Sequence, residues 1–212
     1  MELQWLKEQW NELTITYTDD VSFINRLFIE MTNKFNSGNR QYHNLTHIQT
    51  MLEKAREDKH LIKDYDAVRF AIWFHDIVYN PLFVDNELRS AKFAEEPLLY
   101  MGVPEEKARK IEKMILATRD HFGYDGADGD TEYFLDLDLM ILGSDLETYK
   151  EYVNKIREEY SVLPTALFES NRSKFLYRIL ESPIIYRTKE MKDQFEQQAR
   201  RNIKIELGLL TE

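Results

Sequence analysis

An all-α fold of roughly ten helices is predicted for this 212-residue chain, and three observations predict it. Apolar residues recur at helical spacing along nearly its whole length. No stretch alternates apolar and polar residues as a half-buried strand does, and no repeat or low-complexity linker intervenes. The residues are 43% hydrophobic and 13% aromatic, enough apolar surface for a buried core in one domain. The expected organisation is one domain over 1–212, with a functional core at about 40–145 and C-terminal helices 146–212 packed on it.

The elements follow in order. "LQWLKEQWNEL" reads as a first helix and "DDVSFINRLFIEMTNKF" as a second, with Asp19 or Asp20 placed to cap it. "SGN" at 37–39 breaks that helix, and "NLTHIQTMLEKARED" begins a third. Residues 64–79, "DYDAVRFAIWFHDIVY", form a fourth, ended by Asn80–Pro81. It is apolar on all sides, so it is expected to be buried. "DNELRSAKFAEEPLLYMG" is a fifth, with Pro97 expected to kink or break it. "PEEKARKIEKMILAT" is a sixth, with Pro104 suited to a first turn. Residues 119–130, "RDHFGYDGADGD", are irregular and hold three of the seven glycines. "TEYFLDLDLMILG", "DLETYKEYVNKIREEY", "PTALFESNRSKFLYRILES" and "TKEMKDQFEQQARRNIKIEL" complete the helices. The Asp- and Gly-rich loop is not an EF-hand. Counted from Asp128, the sixth position is Tyr133 where Gly is needed, and the closing Glu is missing.

Net charge is −10 and the pI is about 5.1. A nucleic-acid binder needs a basic face to neutralise phosphates, and none is offered; an acidic surface also repels anionic membranes. With no cysteine, disulfides, thiolate nucleophiles and Cys-type zinc sites are excluded. "MELQWLKEQWNEL" has no apolar core of signal-peptide length, and no apolar run approaches the roughly 20 residues of a membrane helix. A soluble, cytoplasmic protein is the expectation.

Three of the five histidines fall in two apolar segments, "RQYHNLTHIQTML" and "FAIWFHDIVYNP". His75 lies on the stripe of Val68, Ala71 and Ile72, with Asp76 on its flank. A buried carboxylate pairs, protonates or binds a metal. His43 and His47 are four apart and share a face if their helix begins that early, so they serve one metal, or one metal and one substrate. In "FLDLDLMILG", Asp138 falls on the stripe of Leu135, Leu139 and Leu142, while Asp136 lies about 100° away. Asp138 is the better placed to be drawn inward. Two His and two Asp ligands suit Mn, Fe, Zn, Ni or Mg, with positions left for water and a phosphate oxygen.

His47, the adjacent pair His75–Asp76 and Asp138 resemble the H…HD…D signature of the HD superfamily of metal-dependent phosphohydrolases. "YHNLTH" is also similar to the YHNxxH motif of cyclic-nucleotide phosphodiesterases, distant members of that superfamily. "NELRSA", "ATRDH", "DLDLMILG" and "ARRNIKIEL" extend the resemblance over most of the chain, towards a bacterial subgroup of predicted HD phosphohydrolases. The resemblance implies an all-α fold and one or two divalent metal ions held by His47, His75, Asp76 and Asp138. It implies His43 as the general acid for the leaving group. The chain is much shorter than a phosphodiesterase catalytic domain and carries no nucleotide-selectivity motif, so cyclic-nucleotide specificity is not implied.

The expected activity is hydrolysis of a nucleotide or other small phosphate ester by a metal-activated water. A metal- and nucleotide-binding regulatory module without turnover is the alternative, and a di-iron oxygenase is a third reading. Glu87 is a candidate to activate water or orient His75, and His121 to reach substrate or a second metal. Arg119, Arg172 and Lys174 are candidate phosphate clamps. Tyr42, Trp73, Tyr79 and Phe83 are candidates to line a base-sized pocket. His60 is expected to be exposed.

Overall fold

Ten α-helices and no strand are found among the described residues, which are 3–123, 126 and 128–209 of the computed structural model. They divide into two compact units, Met1–Arg119 and Asp120–Glu212. No helix among the described residues is long and apolar enough to cross a membrane.

The first unit holds α1 (Leu3–Thr14), α2 (Val21–Phe35), α3 (Leu45–Glu57), α4 (Tyr65–Phe74), α5 (Asn86–Tyr100) and α6 (Glu105–Ala117). Side-chain caps start three of them. Asp20 accepts from Phe23 N, Asn44 from Thr46 N and Asp64 from Ala67 N. α4 is the central rod: every residue from Ala67 to Phe74 is buried. Trp10 of α1 meets Phe70, Trp73 and Phe74 edge-on at 5.6–6.1 Å, and its indole N–H donates to Ile24 O at 3.2 Å. Arg69 is the one charged residue in that buried run, 5% exposed. Its guanidinium donates to Asp66 at 2.6 Å and Glu12 at 3.1 Å, so the buried charge is compensated.

α4 stops at Phe74, five residues short of the predicted end at Tyr79. His75 N makes the last helical bond, to Ala71 O. The next backbone groups are claimed by distant side chains. Val78 N and O bond Ser90 Oγ, Asn80 N and O bond the Asn86 amide, and Asp76 O and Ile77 O accept from Arg40. Apolar periodicity cannot register such competition, because it is local.

α3 begins at Leu45, so His43 precedes the helix and does not share a helical face with His47. Asn44 sets that start: its carbonyl oxygen caps Thr46 N while its amide donates to Arg40 O and Gln41 O. Gly38 turns the chain between α2 and this segment with φ of 69°, a conformation only glycine adopts without strain. Pro97 does not break α5. It forfeits one helical bond near the C-terminal end, and Met101 N still bonds Pro97 O at 3.0 Å.

The second unit holds α7 (Gly129–Leu139), a 3-10 turn (Met140–Gly143), α8 (Leu146–Glu159), α9 (Thr165–Glu181) and α10 (Lys189–Glu206). The 3-10 turn packs against α10. A Cβ on Gly143 would sit 2.6 Å from Phe195 Cβ and 2.8 Å from its carbonyl oxygen, so only glycine fits. Asn202 of α10 donates to Leu142 O and Ser144 O, and Tyr186 Oη donates to Leu139 O. Residues 124, 125 and 127 of the irregular segment lie outside the described residues.

Candidate metal centre

Two stretches of the first unit converge. α3 carries His47, and the turn beyond α4 carries His75 and Asp76. One ligating atom from each of these three residues lies within 4.8 Å of the others. His47 and His75 are buried, 7% and 1% exposed, and the Asp76 side chain is 16% exposed. The two imidazole rings lie 5.4 Å apart.

The protonation of His75 follows from its contacts. Its Nδ1 is 3.0 Å from Ile72 O. A carbonyl oxygen only accepts, so Nδ1 carries the hydrogen. In the neutral ring Nε2 then presents a lone pair, and it lies 3.2 Å from Asp76 Oδ2, a second acceptor. Two acceptors at that distance repel unless a proton or a cation lies between them. With His47 as third donor, the set matches what a borderline divalent ion selects. Three of the four expected ligands, His47, His75 and Asp76, form a group that could hold a metal ion, whereas Asp138 lies in the second unit, paired with His121. The carbonyl that orients His75 is the outer support such a ligand requires.

His43 stands beside this group. Its ring stacks on Tyr79 at 4.3 Å and lies 6.1 Å from the His47 ring. Tyr42 touches both histidines, with ring centroids 5.0 Å from each. Tyr42 and Tyr79 therefore frame the histidines, whereas Trp73 is fully buried in the core, edge-on to Phe28 and Trp10. Phe83 is exposed, under the Arg89 guanidinium. Glu87 is half-buried in the first turn of α5 and does not belong to the ligand group.

Arg40, Asn86 and Ser90 are the supports the sequence reading missed. Arg40 Nη1 donates to Asp76 O at 2.7 Å and His43 O at 3.3 Å, and Nη2 donates to Ile77 O at 3.1 Å. Asn86 and Ser90 hold the chain that leaves the turn carrying His75 and Asp76. All three lie within "RQYHNLTH" and "NELRSA", beside the candidate ligands and Glu87, but none is of a metal-ligating type that would mark it.

In the second unit, His121 Nε2 lies 2.8 Å from Asp138 Oδ2. Arg187 supports the pair by donating to His121 O at 2.7 Å. Asp136 is more deeply buried than Asp138, contrary to the stripe expectation. The reason is that α7 buries residues around its whole circumference and presents no single stripe. Asp136 accepts from Arg187 N, Thr188 N and Thr188 Oγ1 at 2.7–2.8 Å and so anchors the start of α10. Burial pushes its carboxyl up to about 6 against those donors.

Arg172 is not free to clamp a phosphate. Its guanidinium forks onto Glu206 at 2.8 and 3.2 Å and donates to Tyr152 Oη at 3.1 Å. Arg119, Lys174 and His60 are exposed. No family model, curated protein or solved structure matches the chain.

Proposed function

We propose that the chain is a metal-dependent phosphohydrolase of the HD type, acting on a nucleotide or other small phosphate ester. The observation that supports this reading most is the convergence of His47, His75 and Asp76. Mn, Fe, Zn, Ni or Mg held there would offset phosphate charge and acidify a water. The remaining work falls to the chain. Ile72 O fixes the tautomer of His75, so that Nε2 faces the site. His43, beside the ligands but outside their group, supplies a proton to the departing ester oxygen while water attacks phosphorus. Tyr42 and Tyr79 flank that imidazole and limit its rotation.

The test is elemental analysis of protein purified without chelator or a nickel column, followed by a phosphate-release screen over nucleotides and simple esters. Asp76→Ala is expected to lose both metal and turnover. Unchanged turnover in that variant sinks the reading. Metal and nucleotide binding without phosphate release would place the chain among regulatory modules instead.

A further inference from the structure

We infer that Arg40 is a positioning residue that fixes His43 relative to the HD turn; the inference rests on the function proposed above. One guanidinium nitrogen, Nη1, donates to the carbonyls of both His43 and Asp76, and Nη2 adds Ile77. The same guanidinium lies over the Tyr79 ring at 5.6 Å, and Tyr79 stacks on the His43 imidazole at 4.3 Å. Arg40 therefore holds His43 twice, through its backbone and through the ring beneath its side chain. Phe35 lies under the guanidinium at 5.2 Å and steadies it.

Geometry accounts for the choice of residue. Three carbonyls from two chain segments surround one planar group, and a fork of fixed donors reaches them together. A lysine ammonium ends about where Cζ stands, one bond short of Nη1, and offers neither a second nitrogen for Ile77 O nor a planar face for the Tyr79 ring. Arg40 contributes no metal-ligating atom. Its loss is expected to weaken metal binding no more than loss of another outer support does, about 10-fold, and to release the proton donor.

Arg40→Lys separates these effects, because it keeps the charge and removes the fork. The first readout is the ring-current shift of the His43 imidazole protons by NMR, assigned with His43→Gln. These protons are expected to be shifted upfield by Tyr79 in the parent protein and to move towards ordinary values in Arg40→Lys. Should Arg40→Lys not fold by circular dichroism, the shift is read in Arg40→Gln, which keeps a planar amide donor. The second readout compares two phosphate esters. An alkyl ester needs its leaving oxygen protonated, and its hydrolysis is expected to fall about 10- to 100-fold. A p-nitrophenyl ester needs no such proton and is expected to change by less than about 3-fold. With metal supplied at saturation, occupancy is expected to match the parent's. Unmoved His43 signals, an equal fall on both esters, or an empty site at saturating metal would each overturn the inference. If the parent protein hydrolyses neither ester, the proposed function fails by itself, and the NMR shift alone decides the placement of His43.

Discussion

His75 Nε2 faces Asp76 Oδ2 at 3.2 Å, while Nδ1 of the same ring is held by Ile72 O at 3.0 Å. Lone pair therefore meets lone pair until a proton or cation intervenes. Asp76→Asn replaces one acceptor by an amide able to donate to Nε2. The metal-free variant is expected to melt at or above the temperature of the metal-free parent. Its affinity for Mn or Zn is expected to drop by at least about 100-fold, beyond what loss of an outer support costs. Calorimetric titration and melting with and without chelator check both halves. Parent-like metal affinity would remove Asp76 from the site.

Ser90 and Asn86 bind the chain just past the ligands, each through a reciprocal pair of bonds. Ser90→Ala and Asn86→Ala are expected to weaken metal binding about 10-fold each, as supports of ligands do. The same titration measures it. A variant that melts earlier but binds metal normally would reduce the pair to ordinary loop staples.

Arg172→Ala leaves Glu206 partly buried without its guanidinium. A loss on the order of 3 kcal/mol is expected from urea unfolding. KM for any phosphate ester that the protein hydrolyses is expected to stay the same. A raised KM with parent-like stability would restore Arg172 as a phosphate clamp.

Asp66 gives a pH-dependent case. Burial works to raise its carboxyl, but hydrogen bonds from Arg69 and Tyr17 outweigh it and hold the group below its ordinary 3.8. A depressed folded value means that the interaction stabilises above the unfolded value and is lost as pH falls through the folded one. The stability gap between the parent and Asp66→Asn is expected to be full at neutral pH and to narrow below about pH 4. Urea unfolding at several pH values reads this gap. A gap that stays constant down to strongly acid pH would assign the loss to packing alone.

The all-helical class and most helix positions were legible because period and caps are local. Asp20, Asn44 and Asp64 stand where sequence rules put helix starts. His47, His75 and Asp76 were legible as polar groups on apolar ground, which is costly unless compensated. The end of α4 was not legible, because Arg40, Asn86 and Ser90 reach it from elsewhere in the chain. Asp136 was misjudged for a related reason. Its donors, Arg187 and Thr188, are about fifty residues away, and no stripe argument anticipates backbone N–H groups arriving from that distance.

The three tryptophans, Trp5, Trp10 and Trp73, all lie in the first unit. Excitation near 295 nm therefore illuminates only the part of the molecule that carries His47, His75 and Asp76. Far-ultraviolet dichroism, by contrast, samples the helices of both units. Followed side by side through one denaturant titration, the two signals separate if the first unit melts independently and superimpose if the chain melts as a whole.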